Sequence, residues 1–169
     1  MSPVERARPL PEAQGRGKLL IAESVLAATS AALQGFAGQD GRHEGIVLWL
    51  GRFIATTTMV VSVHVPEADH GWGHVRMSEQ QVGTASRSAR ALGLGIIAQV
   101  HSHPGTDVRH SDGDDDLVLM PFEGMFSLVV GRYGDAALLD GGLHQYQDGV
   151  WHRIIDVDPV VYVIPPVVR

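Results

Sequence analysis

The chain has 169 residues, of which 44% are apolar, enough to bury one sizeable core but too few for two ordinary domains. Its 13 Lys and Arg residues are outnumbered by 19 Asp and Glu residues, and the basic residues are scattered singly, which argues against a nucleic-acid-binding protein. Cysteine is absent, which excludes disulfides and thiolate metal sites, so His, Asp or Glu must hold any metal ion.

The N-terminal residues 1–18 contain three prolines and two glycines, a composition that favours an extended or disordered lead-in before a single domain over 19–169. This segment has no apolar stretch of the kind found in secretory signals, and no apolar run in the sequence approaches the length of a membrane span. We therefore expect a cytoplasmic protein without membrane contacts.

Two amphipathic helices are predicted from apolar residues that recur every three or four positions, one over about 23–36 and one over about 79–92. The second helix opens at Ser78 with the pattern of a capping box, in which Gln81 occupies the third helical position. Gly93 is expected to end this helix.

Strands are predicted where short apolar or β-branched runs lie between glycines, prolines and aspartates. These runs cover 45–50, 57–65 and 94–100, and then 125–130, 136–139, 143–146 and 150–155. We expect the last four to be antiparallel strands, and we expect a short third helix to open at Ser111 and stop near Pro121. The order of strands and helices predicts an α/β fold with a single mixed β-sheet flanked by helices.

The stretch from His101 to Asp114 contains the residues that suggest chemistry. His101 and His103 are two positions apart at the end of a predicted strand, so both imidazoles project from one face and can converge on one ion. Ser111 is placed to cap the next helix, and Asp114 lies in its first turn. Two histidines and one carboxylate leave one position for water, which is the arrangement of a hydrolytic zinc site.

Glu44 is the candidate for the group that accepts and returns the proton of the attacking water. It precedes the predicted strand 45–50, which sets its carboxylate beside the site if that strand neighbours the one ending at His101. Zinc lowers the pKa of water to about 7 and polarises the scissile carbonyl. Ser111 has a hydroxyl that can donate to the oxyanion of a tetrahedral intermediate.

The spacing resembles the signature of the JAMM metalloproteases of the JAB/MPN domain family: His101, one residue, His103, seven residues, Ser111, two residues and Asp114. The segment from Glu44 to Gly51 resembles that family's glutamate and the apolar strand after it, and the likeness extends over about 19–155. The resemblance implies a cytidine-deaminase-like core and one Zn²⁺ ion per chain. It also implies cleavage at the C-terminus of ubiquitin or a ubiquitin-like protein.

Within that family, a compact stand-alone domain looks most like the bacterial JAB proteases of antiphage ubiquitination-like operons, of the Bil or CBASS type. The resemblance implies a ubiquitin-like protein or its conjugates as partner, together with operon-encoded activating and conjugating enzymes. Such proteases grip the extended tail of the substrate near the loop that contains Trp72, so residues 66–77 are a candidate wall of a tail groove. Packing of Trp72 on its own sheet is the alternative interpretation.

Two other zinc-dependent functions compete with a ubiquitin-like protease. A zinc hydrolase that processes a small peptide or a sulfur-carrier-type protein is the alternative. A nucleobase deaminase needs a Pro-Cys-x-x-Cys ligand run, which a chain without cysteine cannot have. Asp107, Asp112 and Asp115 are candidates for orienting the zinc imidazoles, and His110 is either a neighbour of the site or a structural residue.

Overall fold

The computed structural model describes residues 8–117 and 120–167. The helices are α1 (Glu23–Gln34) and α2 (Glu79–Ala91). The strands are β1 (Glu12–Ala13), β2 (Lys18–Ala22), β3 (Ala37–Gly38), β4 (Gly41–Arg42), β5 (Ile46–Ile54), β6 (Thr57–His64), β7 (Asp69–Gly71), β8 (His74–Arg76), β9 (Gly95–Ser102), β10 (Phe126–Val130), β11 (Gly142–Gln147), β12 (Val150–Ile154) and β13 (Val161–Ile164). Single 3₁₀ turns lie at Gly113–Asp116, Arg132–Gly134 and Leu138–Asp140.

Nine of these strands form one mixed sheet in the order β1-β12-β11-β10-β9-β5-β6-β2-β13. At the centre, β5 runs antiparallel to both β6 and β9, and β10 runs parallel to β9. The predicted α/β fold with a mixed sheet and flanking helices is therefore confirmed. In the two described ranges, no helix combines the length and the apolar character that crossing a bilayer requires.

The first half of β5 is apolar because both faces of the sheet are covered there. Trp49 belongs to the same apolar cluster as Leu33 of α1, whereas Leu48 belongs to a second cluster with Ala85 of α2. Neighbouring residues of a strand point to opposite faces, so the two helices cover opposite sides of the sheet. The capping box of α2 is present as predicted, with hydrogen bonds in both directions between Ser78 and Gln81.

Thr29 connects α1 to the centre of the sheet through a buried hydroxyl. Its Oγ1 accepts a hydrogen bond from Trp49 Nε1 at 2.8 Å and donates one to the carbonyl of Val25 at 2.8 Å. We expect Thr29→Val to lower the free energy of unfolding by about 1–3 kcal/mol, because the buried indole N–H loses its acceptor. Urea denaturation measures this loss, and Thr29→Ser, which keeps the hydroxyl, is the control. An equal loss in both variants would contradict the assignment.

The C-terminal half departs from the predicted strand pattern in two places. Residues 136–139 are not a strand; the N–H groups of Asp140 and Gly141 bond locally to Ala137 and Leu138, which leaves a 3₁₀ turn instead of a ladder. Strand β10 is antiparallel to β11 as predicted but parallel to β9, since the long connection between β9 and β10 returns the chain in the same direction.

Both edges of the sheet contain strands that the sequence did not predict. Strand β1 pairs with β12, and Gln145 holds the same segment by accepting from the N–H of Arg16 at 2.7 Å and donating to its carbonyl at 2.8 Å. At the other edge, β13 pairs with β2. The division of the chain into a lead-in and a domain stays a prediction, and residues 1–7 lie outside the described part. The third helix predicted from Ser111 is, as far as it is described, only the 3₁₀ turn Gly113–Asp116.

Candidate metal centre

Strands β5 and β9 lie side by side and bring Glu44 next to the two histidines. Ser102 donates its N–H to the carbonyl of Gly45 at 3.0 Å, and the Gly45 N–H donates to Ser102 Oγ at 2.9 Å. Continued by one residue pair, this antiparallel register sets Glu44 opposite His103, on the face that His101 also uses. The neighbouring strands are therefore the reason that residues far apart in sequence meet.

His101, His103 and Asp114 come together at the end of β9, with one ligand atom of each within 4.8 Å of the others. The Nε2 atoms of the two histidines are 3.2 Å apart; Asp114 Oδ1 is 3.3 Å from His101 Nε2, and Asp114 Oδ2 is 3.2 Å from His103 Nε2. Ligand bonds of about 2.0–2.1 Å at tetrahedral angles require neighbouring ligand atoms about 3.3–3.4 Å apart. The spacing of the two Nε2 atoms is close to this value, and each imidazole has an Asp114 oxygen at a similar distance, so the three side chains can share a single metal ion.

The two imidazoles are oriented in different ways. His103 Nδ1 donates to the main-chain carbonyl of Asp107 at 2.9 Å, which leaves Nε2 free of its proton and able to bind a metal. The sequence suggested Asp107 for this role through its carboxylate, but that carboxylate binds Arg109 instead. His101 is fully buried, and its Nδ1 has no hydrogen-bond partner among the described residues; its ring lies against those of His103 and His110.

The arrangement of His101, His103 and Asp114 favours a positive charge between the three side chains. Although burial acts to raise it, the pKa of the Asp114 carboxyl is held well below its usual range by His101 and His103. Burial acts to lower the pKa of His103, but the hydrogen bond and the charge of Asp114 outweigh burial and raise it. A divalent cation supplies this positive charge in place of a proton.

Ser111 and Asp114 form a compact turn in which each caps the other. The Ser111 N–H donates to Asp114 Oδ2 at 2.6 Å, and the Asp114 N–H donates to Ser111 Oγ at 3.2 Å. This turn fixes the carboxylate that faces both histidines and places the serine hydroxyl next to the main chain of Asp114. The turn therefore combines the cap predicted at Ser111 with the proposed ligand role of Asp114.

Glu44 is a buried carboxyl beside this group. Burial raises its pKa to about 7, while the neighbouring His103 acts to lower it. Its main-chain N–H donates to the carbonyl of Gly71 at 2.8 Å, which ties the start of β5 to the β7–β8 hairpin. A carboxyl with a pKa near neutrality both accepts and releases a proton at physiological pH, which is what a general acid–base group requires.

Trp72 lies at the tip of the β7–β8 hairpin with 66% of its surface exposed. Its side chain is therefore not packed on the sheet, which was the alternative interpretation of this residue. The Trp72 carbonyl accepts a hydrogen bond of 2.7 Å from the Tyr133 hydroxyl. The hairpin thus presents a large exposed aromatic side chain on the residue directly after Gly71, whose carbonyl bonds to Glu44.

Tyr133 adjoins the site although no sequence pattern identified it. Its N–H donates to the carbonyl of His103 at 2.8 Å, and its pKa is raised by burial and by the charge of Glu44. Arg132 and Tyr133 have φ values of 55° and 54°, a left-handed conformation that costs a non-glycine residue about 1 kcal/mol or more. Nearby glycines mark a turn here, but nothing in the pattern shows which side chain the turn presents.

Comparison with known proteins places this geometry in a family. The sequence profile of the prokaryotic homologs of the JAB domain matches residues 31–139, which include Glu44 and the whole stretch from His101 to Asp114. The match covers well over half of the chain, and the protein belongs to this family. The JAB resemblance found in the motif is thereby confirmed at the level of the family.

Two individual proteins show the same relationship. The chain is 32% identical over 102 residues to "Probable metalloprotease y4jG" of Sinorhizobium fredii, a match that covers 57% of this chain and 60% of that protein. The solution structure of protein DSY2949 from Desulfitobacterium hafniense superimposes with a TM-score of 0.60 at 15% identity, covering 88% of this chain and 94% of that one. The first likeness spans only three fifths of its relative's length, and the second shows a shared fold.

Proposed function

We propose that the protein is a zinc-dependent peptidase or isopeptidase that cleaves at the C-terminus of a ubiquitin or ubiquitin-like protein. The observation that carries the proposal is the convergence of His101, His103 and Asp114 within 4.8 Å, beside the buried carboxyl of Glu44. Family membership and the likeness to a probable metalloprotease support a metal-dependent hydrolase. Two imidazoles, one carboxylate and an open position for water are a ligand set of hydrolytic zinc sites, which supports zinc as the ion.

The metal ligands, Glu44 and Ser111 have separate roles in the proposed hydrolysis. His101, His103 and Asp114 would hold the zinc ion, which would supply an activated water and polarisation of the scissile carbonyl. Glu44, opposite His103, takes the proton from water and delivers it to the leaving amine, for which a pKa of about 7 is well suited. Ser111, in the same turn as Asp114, donates a hydrogen bond from its hydroxyl to the oxyanion that forms on the substrate.

The proposed substrate is a protein with an extended, glycine-containing C-terminal tail. The β7–β8 hairpin borders the site through the bond between Glu44 N–H and the Gly71 carbonyl, and Trp72 at its tip is exposed. An extended tail would lie along this hairpin and be held by main-chain pairing. In this proposal the enzyme acts in the cytoplasm of a bacterium, in an antiphage ubiquitination-like pathway whose activating and conjugating enzymes form the conjugates.

The proposal is tested by offering the zinc-loaded protein three substrates with the same tail. These are a ubiquitin-like protein fused through its C-terminal glycine to a reporter, the same protein joined to a lysine side chain, and the isolated tail peptide. We expect cleavage after the glycine in at least one of the two protein substrates, with a kcat/KM at least about tenfold above that of the peptide. Equal kcat/KM for all three would favour the alternative, a hydrolase for small peptides or sulfur-carrier-type proteins. Cleavage of none would reject both.

Trp72 provides a separate test of how the substrate is held. We expect Trp72→Ala to raise KM for the protein substrate about tenfold and to leave kcat within about twofold, because loss of an exposed aromatic anchor weakens binding by more than about 1 kcal/mol. Leu92→Ala is the matched control, since Leu92 is 65% exposed and follows α2. Unchanged KM and kcat in Trp72→Ala would remove the hairpin from the substrate-binding surface.

A further inference from the structure

His110 is completely buried next to the Ser111–Asp114 turn. It is not one of the three residues that can share a metal ion. Both of its ring nitrogens have side-chain partners: Nδ1 lies 3.3 Å from Asp115 Oδ1, and Nε2 lies 2.9 Å from Ser127 Oγ. Ser127 Oγ also accepts a hydrogen bond of 3.0 Å from Gln99 Nε2. Through these two bonds, the buried His110 connects Asp115 in the loop to Ser127 in β10.

The partners determine the direction of each hydrogen bond. The Asp115 carboxylate only accepts, so Nδ1 of His110 carries the proton and Nε2 accepts from the Ser127 hydroxyl. Burial lowers the pKa of His110, although the hydrogen bond to Asp115 opposes this effect. Since Gln99 and Ser127 are paired residues of β9 and β10, the hydrogen bonds lead from the centre of the sheet to the loop.

The hydrogen bonds of His110 lie at the two ends of the turn that contains Asp114, a candidate metal ligand. His110 immediately precedes Ser111, and Asp115 immediately follows Asp114. The hydrogen bond from His110 to Asp115 therefore joins the two residues that flank the Ser111–Asp114 turn, and the bond to Ser127 attaches the joined ends to the sheet. The same sheet contains His101 near the end of β9. The turn that provides Asp114 and the strand that provides His101 are therefore both attached to this sheet.

We propose that His110 is a positioning residue, which holds the Ser111–Asp114 turn at the distance from His101 and His103 that binding of a metal ion requires. The inference rests on the proposed metal-dependent function. It predicts that loss of His110 weakens metal binding in addition to any effect on folding, because Asp114 is then free to move away from the two imidazoles. Partners of this kind typically change metal affinity by about 10–100-fold.

His144 offers a matched comparison within the same buried cluster. Its ring stacks on that of His110 with centroids 4.1 Å apart, and it is 1% exposed. Its Nδ1 donates to the carbonyl of Gly142 on its own strand at 2.9 Å. Replacement of His144 therefore disturbs the same part of the core without breaking the connection to the Ser111–Asp114 turn.

The experiment measures zinc affinity by competition with a chromophoric chelator in the wild type, His110→Leu and His144→Leu, with circular dichroism and thermal melting to confirm folding. We expect about 10–100-fold weaker zinc binding in His110→Leu, and affinity within about threefold of the wild type in His144→Leu. Ser127→Ala, which removes only the hydroxyl between Gln99 and His110, should weaken zinc binding several-fold and decides the question if His110→Leu does not fold.

The positioning role would be overturned if folded His110→Leu, or Ser127→Ala, bound zinc with wild-type affinity. It would also be overturned if His144→Leu lost as much zinc affinity as His110→Leu. Zinc affinity is measured without substrate, so the test does not depend on the proposed cleavage. If the protein cleaved no ubiquitin-like substrate, the expected difference in zinc affinity between His110→Leu and His144→Leu would remain. A wild-type protein that binds no zinc would reject the metal-dependent function and the positioning role together.

Discussion

Glu44→Gln is expected to lower kcat for cleavage by about 10²–10⁴-fold, because the amide cannot accept the proton of water or return it to the leaving amine. Zinc content and melting temperature should stay close to those of the wild type, since Glu44 is not one of the three residues that fit the metal ion. Steady-state kinetics on the cleaved protein substrate, together with metal analysis of the same sample, separate loss of catalysis from loss of metal.

Glu23→Gln is the control for this change, because Glu23 is an exposed glutamate at the start of α1 and lies outside the site and the 66–77 segment. It should cleave at the wild-type rate. If Glu44→Gln retained a rate within about threefold of the wild type while fully loaded with zinc, Glu44 would not be the general base. The raised pKa of this carboxyl, which burial and the charge of Asp114 cause, would then have no role in catalysis.

His103→Ala is expected to abolish both zinc binding and cleavage. The substitution removes one ligand atom and the hydrogen bond from Nδ1 to the Asp107 carbonyl, so the remaining His101 and Asp114 no longer form a three-ligand site. We expect zinc content after dialysis to fall from about one to below about a tenth of an equivalent, with no measurable turnover. Atomic emission analysis and the cleavage assay measure the two losses.

His152→Ala is the matched control for the ligand substitution, because His152 lies in β12, three strands away from β9, and its Nε2 is 3.1 Å from the Gln147 carbonyl. Its zinc content and rate should equal those of the wild type. Full zinc occupancy in His103→Ala would contradict the assignment of His103, and loss of zinc in His152→Ala would indicate a different site.

The sequence predicted the parts of the fold that depend on local patterns. The capping box at Ser78 and Gln81, the helical spacing of α1 and α2 and the apolar run before Gly51 each encode their structure within a few neighbouring residues. The pair His101 and His103 belongs to the same class, since two residues of a strand that are two positions apart share a face. Local periodicity was sufficient for all of these elements.

The features that the sequence did not predict depend on which distant segments meet. The short strand β1 exists because Gln145 and the edge of β12 bind a proline-rich segment that has no strand pattern of its own. The carbonyl of Asp107 orients His103, and a main-chain atom leaves no trace in residue type. Tyr133 and Ser127 approach the site only through the order of the strands, which spacing along the chain does not specify.

The most direct measurement of the central claim is X-ray absorption spectroscopy of the zinc-loaded wild type at one equivalent, compared with Asp114→Ala. We predict one zinc ion with two imidazole nitrogens and one or two oxygens at about 2.0–2.2 Å in the wild type, and loss of this ion in the variant. A wild-type zinc site with a different number of imidazoles, or an unchanged spectrum in Asp114→Ala, would contradict the account.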